Sequence, residues 1–215
     1  MTETIVHLVR HGEVHNPGKI LYGRLPGYRL SERGEQMARL TGAALAERDI
    51  AKVVASPLLR AQQTAKPIAE PHGLEIETDE RLTEALNHFE GHRIGHGEAS
   101  FTNPKNWKYF VNPFRPSWGE RYRDQVDRVM AAVRDARHAA EGHEAVLVLH
   151  QLPIWLTRRA AEHKPMLHDP RKRECGLASV TSLVFSGEHL DHVEYAEPAA
   201  ALYEGAVDAT GGKLT

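Results

Sequence analysis

The sequence predicts an α/β protein in which a mostly parallel sheet is covered by helices on both faces. Two observations carry this. Residues 5–9 and 145–149 are almost continuously apolar, the pattern of strands buried on both faces, whereas a half-exposed strand alternates. Between and after them lie segments whose apolar residues recur at helical spacing. Each run is followed closely by a histidine, His11 and His150, and open sheets of this class place ligands at the carboxyl ends of their strands.

The elements follow in order. Ile5, Val6, Leu8 and Val9 form the first strand, which runs into Arg10, His11, Gly12 and Glu13. An Arg beside a His, at a glycine that permits close backbone approach, is a suitable beginning for a phosphate site. Residues 15–30 hold Asn16, Pro17, Gly18, Gly23, Arg24, Pro26 and Gly27; so long a loop is more often functional than idle. Ser31 is placed to cap a helix with Met37, Leu40, Thr41, Ala44 and Leu45 on its buried face. Residues 53–55 read as a second strand. Ser56 as cap and Pro57 at the first helical position then start another helix, with Arg60 in its opening turn. A helix N-terminus already favours anions, and Arg60 adds a positive fork to it. Pro67 should kink or end that helix, and Pro71 should block its extension.

Residues 75–78 alternate weakly as a third strand, and Leu82 and Glu84 lead into a His- and Gly-rich stretch. Residues 93–118, with Trp107, Tyr109, Phe110, Phe114 and Trp118, read either as a lid that selects substrates or as a structural insertion. A helix over about 120–140 shows Tyr122, Val126, Val129, Met130 and Val133 on one face, and Gly142 closes it. The strand 145–149 delivers His150, and Pro153 admits a further helix. Two last strands, 180–185 and 190–195, turn at Gly187 and Glu188 as a hairpin. The alanine-rich end, 199–215, is expected to be a flexible tail.

Composition narrows the function. No linker divides the 215 residues, so one domain over 1–215 is expected. With 41% apolar and 26% charged residues, the balance is that of a soluble globular chain with a full core. Lys+Arg 27 against Asp+Glu 29 gives no global basic field for nucleic acid or an anionic membrane, so any anion site is local. The lone Cys175 fits a reducing compartment and is expected to be buried and inert. No signal-like segment and no apolar stretch of roughly 20 residues is present, and a cytoplasmic enzyme is the expectation. A homodimer is left open. No metal is expected. His15 follows His11 at four residues without the zincin glutamate; Gly91 and Gly95 interrupt any helix that would align His88, His92 and His96; His168 and Cys175 lack zinc-site spacing.

Three strand ends thus present Arg10 with His11, Arg60, and His150, and an open α/β sheet would bring them to one crevice. In these residues the chain resembles the histidine phosphatase superfamily, also called phosphoglycerate mutase-like. Arg10, His11 and Gly12 stand as the RHG signature, and Ser56, Pro57, Leu58, Arg60, Gln63, Thr64 and Ala65 as the second motif. Leu82 and Glu84 resemble the Leu-x-Glu that supplies the family's acid, followed by Glu90 and Gly91, and His150 is the His that closes an apolar strand.

The resemblance implies a three-layer α/β/α sandwich and a phosphomonoesterase that needs no cofactor. His11 would form a phosphohistidine and Glu84 would donate the proton. His150 would join Arg10, Arg60, Asn16 and Arg24 around the phosphoryl oxygens of a small phosphorylated metabolite. Two departures stand out: Asn16 lies one residue nearer RHG than the family's Asn, and Gln151 replaces the Gly that usually follows the last His. A phosphoglycerate mutase is the nearest alternative, although Glu84-Ala85-Leu86-Asn87-His88 stands where the cofactor-dependent mutases carry Glu-Arg-His-Tyr-Gly. A non-catalytic phosphate-binding module is the third reading, against which the intact set of site residues speaks.

Overall fold

The computed structural model describes residues 2–93 and 119–208. Its sheet has six strands: β1 (Glu3–Arg10), β2 (Ile50–Ala55), β3 (Ile76–Thr78), β4 (Glu144–Leu149), β5 (Val180–Ser186) and β6 (His189–Ala196). They lie in the order β3-β2-β4-β1-β5-β6. The first four are mutually parallel; β5 pairs antiparallel with both β1 and β6. Among the described residues four α-helices complete the layers: α1 (Glu32–Leu45), α2 (Leu59–Ala69), α3 (Tyr122–Ala139) and α4 (Gln151–Ala161).

Strand pleating divides the core into two. Val6, Leu8, Ala145, Leu147 and Leu149 point to the face covered by Val129, Val133 and Ile154 of α3 and α4. Val9, Val53, Ala55, Val146 and Val148 point to the other face, against Leu45, Ala61, Ala65 and Ile68 of α1 and α2. Both faces of β1 and β4 are therefore dry, which is why their sequences do not alternate. Withdrawing each large side chain from water contributes roughly 1.5–3 kcal/mol. Helices on both faces of the sheet make the three-layer α/β/α sandwich that the resemblance implied. Among the described residues no helix is long and apolar enough to cross a membrane.

Several local expectations are corrected. Ser31 does cap α1, accepting from the Gly34 N–H. The buried face of that helix, however, is Gly34, Met37, Ala38, Thr41, Gly42 and Leu45, while Leu40 and Ala44 face water. Small residues turn it this way: a Cβ at Gly34 would stand 2.0 Å from Glu13 O, and one at Gly42 would stand 2.4 Å from Pro67 O. In α3 the inner face adds Gln125, Ala132 and Ala136, and Tyr122 and Met130 lie at its margin. Pro67 does not end α2, which runs on to Ala69; burial of Ile68 and Ala69 offsets the one helical bond that proline forfeits.

The flexible tail is the largest correction. Residues 199–208 are packed: Ala199 and Tyr203 are buried with Met37, Leu177 and Ala178. The Tyr203 hydroxyl donates to Leu177 O at 2.9 Å. Residues 209–215 lie outside the described residues, as do 94–118 of the expected lid. Arg93, at the lid's start, pairs with Ile20 in an isolated bridge.

Candidate active site

Three neighbouring parallel strands end at one edge. The His11 N–H extends the β1 ladder by donating to Leu149 O at 3.1 Å, and the Ser56 N–H, just beyond β2, donates to Val148 O at 2.9 Å. With β4 between β1 and β2, Ser56, His150 and His11 come side by side. The two imidazole centroids are 5.2 Å apart. Arg60, in the first turn of α2, donates from Nη2 to Gly23 O at 2.7 Å and to His150 Nδ1 at 3.3 Å. Its guanidinium lies over the Tyr22 ring, 4.7 Å from the centroid.

The hydrogen bonds fix the tautomers. His11 Nδ1 is 2.8 Å from Gly12 O, a carbonyl that only accepts, so Nδ1 carries the proton and Nε2 keeps a lone pair. Burial, reinforced by the charges of Arg60 and Arg10, holds the His11 pKa well below the ordinary histidine range. The ring is therefore neutral. His150 Nδ1 faces a guanidinium that only donates, so its proton sits on Nε2 and goes to Ser56 Oγ at 2.9 Å. Burial and then Arg60 push its pKa down in the same way. Both nitrogens of His150 are thus engaged, and it positions Arg60 in this state.

This revises the reading of Ser56. Leu58 occupies the α2 cap position and makes no side-chain bond there; Ser56 serves His150 instead and takes only a 3.4 Å approach from Leu58 N. The rest of that motif has local work. Thr64 Oγ1 accepts from the Gly12 N–H at 3.2 Å and donates to Arg60 O at 2.8 Å. Gln63 Oε1 holds the Leu30 N–H at 2.8 Å. Gly12 must be glycine, because a Cβ would stand 2.5 Å from Gly34 O.

Arg10 is fully buried and held by a carboxylate that sequence reading missed. Its Nη1 donates to Cys175 O at 2.7 Å and Asp208 Oδ2 at 2.9 Å, and Nη2 donates to Asp208 Oδ1 at 2.8 Å. Burial opposes the charge, but the Asp208 carboxylate outweighs it and raises the pKa above the ordinary arginine value. Cys175 is buried, and burial lifts its thiol to about 11, as an inert cysteine requires. Arg60 has no carboxylate partner among the described residues, and its Nε is buried without a protein acceptor.

Glu84 follows the turn after β3. Burial raises its carboxyl above the ordinary range, while Oε1 accepts from the Ala85 N–H at 2.7 Å. Arg24 braces this glutamate through the backbone: Nε donates to Glu84 O at 2.6 Å and Nη2 to Glu120 Oε2 at 3.1 Å. Asn16 spends its amide on Ile20, with Nδ2 to Ile20 O at 2.8 Å and Oδ1 from Ile20 N at 3.0 Å. The structure thus gathers His11, Arg60 and His150, with Arg10 beside His11, while Arg24 and Asn16 hold loop backbone. Tyr22, Ser56 and Asp208 were not legible as site residues. Among the described residues, no group of three His, Cys, Asp or Glu side chains is gathered for a metal ion.

Comparison with known proteins accords with this geometry. A family model described as the histidine phosphatase superfamily (branch 1) matches residues 6–198. An uncharacterised protein of Mycobacterium tuberculosis is 54% identical over 198 residues, 92% of this chain and 98% of the relative. YhfR of Bacillus stearothermophilus superposes with a TM-score of 0.75 at 28% identity, covering 96% of this chain and 99% of the other. A mycobacterial glucosyl-3-phosphoglycerate phosphatase superposes with a TM-score of 0.71 at 25% identity, covering 90% and 96%.

Proposed function

Because the chain belongs to the histidine phosphatase superfamily, we propose that it is a metal-independent phosphomonoesterase that hydrolyses a small phosphorylated metabolite through a phosphohistidine on His11. The observation that carries this is a neutral imidazole of fixed tautomer on which the charges of two buried arginines, Arg60 and Arg10, act. The Nε2 lone pair attacks phosphorus as the bond to the leaving oxygen breaks, and Glu84 gives that oxygen its proton. Water then attacks the phosphohistidine, Glu84 takes the water's proton, and the P–N bond breaks to release phosphate.

Charge on the nonbridging oxygens is met by Arg60 and by Arg10, whose guanidinium is fixed by Asp208 and Cys175 O before substrate arrives. The buried Arg60 Nε supports this assignment: an unsatisfied donor costs roughly 1–3 kcal/mol, which a phosphoryl oxygen would recover. The stretch Glu84-Ala85-Leu86-Asn87-His88, which stands where the cofactor-dependent mutases carry Glu-Arg-His-Tyr-Gly, supports hydrolysis over mutase chemistry.

Brief mixing with ³²P-labelled substrate, followed by alkaline denaturation and peptide mapping, is expected to place base-stable label on His11. A His11→Ala variant is expected to lose the label and at least about 10³-fold in kcat/KM. Label on another residue, or full turnover by H11A, overturns the assignment. Transfer of the label from a bisphosphoglycerate to a monophosphoglycerate rather than to water identifies a mutase, and phosphate binding without turnover identifies a binding module.

A further inference from the structure

The side chain that departs from the family pattern, Gln151, joins two arginines. Its Oε1 accepts from Arg173 Nη1 at 3.2 Å. Its Nε2 reaches Cys175 O at 3.4 Å and Asp208 Oδ2 at 3.5 Å, the same two acceptors that hold Arg10 Nη1. One glutamine therefore separates Arg173 from the phosphate-site Arg10. The Tyr122 phenol and the charges of Glu84 and Arg10 all act on the Arg173 guanidinium, as its place one side chain away from Arg10 leads one to expect.

Arg173 is only 8% exposed, and its immediate partners are neutral. Nε donates to His168 Nε2 at 2.9 Å. His168 Nδ1 lies 2.7 Å from Met166 O, which only accepts, so the histidine turns a lone pair to the arginine. Its ring packs against Trp155 and Tyr122, with centroids 5.9 and 6.0 Å away. The nearby carboxylates are committed elsewhere: Asp169 to Arg171 and Glu174 to Arg158. No carboxylate pairs with Arg173 among the described residues, and its Nη2 has no hydrogen-bond partner there. Arg10, buried more deeply still, is neutralised by Asp208. A guanidinium held out of water without a counter-charge is costly, and a ligand that brings the missing charge removes that cost.

We propose that Arg173, presented by Gln151 and His168, binds a second anionic group of the substrate, a carboxylate or a second phosphate, beside the phosphoryl group held at Arg10 and Arg60. The enzyme then prefers phosphomonoesters with two anionic ends. The inference rests on the phosphomonoesterase reading above and names a residue that decides specificity for it. A guanidinium fork suits either anion by paired N–H donors.

The test compares substrates that differ only at the second group: 6-phosphogluconate against sorbitol 6-phosphate, and fructose 1,6-bisphosphate against fructose 6-phosphate. Wild-type kcat/KM is expected to favour the doubly anionic member of at least one pair by tenfold or more, and the pair that responds tells carboxylate from phosphate. In Arg173→Met that ratio is expected to fall towards one, mainly through KM, and Arg173→Lys should restore part of it. His168→Phe, which keeps the ring packing and removes the acceptor, should lower the same ratio and serves if R173M does not fold. Absence of any wild-type preference in both pairs overturns the proposal. So does an equal loss on both members of the responding pair in R173M, the result expected of a merely structural arginine. Absence of hydrolysis of every phosphomonoester together with absence of label on His11 is a different failure, that of the phosphomonoesterase reading itself.

Discussion

Glu84 and His11 are tuned in opposite directions by the same burial. Removing a carboxyl from water favours its protonated form, and the opposing pulls of the Ala85 N–H, Arg60, Arg10 and Arg128 do not cancel that. Removing an imidazole from water favours its neutral form, and Arg60 and Arg10 push further the same way. Turnover needs His11 deprotonated and Glu84 protonated. The acid limb of the kcat/KM profile is therefore expected below the ordinary histidine range, and the alkaline limb above the ordinary carboxylate range. Glu84→Gln should abolish the alkaline limb and lower kcat/KM for an alkyl phosphate by about 10²–10⁴-fold. Its effect on p-nitrophenyl phosphate should be much smaller, because p-nitrophenolate leaves without a proton. Equal losses on the two substrates would remove Glu84 from the role of acid. These residues could be picked out in the sequence because each stands in a short motif after a strand end. Tyr22 could not, since its only mark is a cation–π contact with Arg60, 38 residues on.

Strands and helices were legible where their cause is local. The runs of Val and Leu, the Ser31 cap and the Gly187 turn act through neighbours in the chain, and all appear where expected. The inward face of α1 was misjudged because Gly34 and Gly42 act through backbone contacts with distant segments, which helical periodicity does not register. His7 is similar. It bridges three adjacent strands, with Nδ1 2.8 Å from Ser182 Oγ in β5 and Nε2 2.7 Å from Glu144 Oε2 in β4, and Arg48 adds a cationic partner to that glutamate. Burial works against the Glu144 carboxylate, but the bonds from His7 and Arg48 hold its pKa down at about 2 from an ordinary 4.5. A depressed folded-state pKa stabilises the fold above the unfolded value and is lost as pH falls through the folded one. The clamp should therefore contribute fully above pH 4.5 and fade between 4.5 and about 2. Solvent access limits its worth to about 1 kcal/mol. Denaturant midpoints measured across that window should fall more steeply for the natural chain than for Glu144→Gln; parallel slopes would show that the clamp contributes nothing.

At the scale of the whole molecule, the two ends of the described chain meet at the site. Asp208 neutralises Arg10 through two hydrogen bonds, and the Val207 N–H donates to Glu13 Oε1 at 2.8 Å. Tyr203 and Ala199 close a small apolar cluster over α1. An alanine-rich end without periodicity carries no local sign of this, because Val207 and Asp208 find their partners almost 200 residues earlier, Tyr203 packs on Met37 and Leu177, and its order is bought by tertiary contacts alone. Removing the Asp208 charge leaves the Arg10 guanidinium buried and uncompensated, a change that costs about 3–5 kcal/mol in buried pairs. Asp208→Asn is therefore expected to lower Tm by roughly 6–20 °C at two to four degrees per kcal/mol. A chain ending at Pro198, which also loses the Tyr203 cluster, should fall at least as far. Both should lose kcat/KM as well, since Arg10 would no longer be held towards His11. Calorimetry of the two variants decides the matter: an unchanged Tm in both would mean that residues 199–208 are an appendage and that Arg10 is kept in place without Asp208, with Cys175 O among its remaining partners.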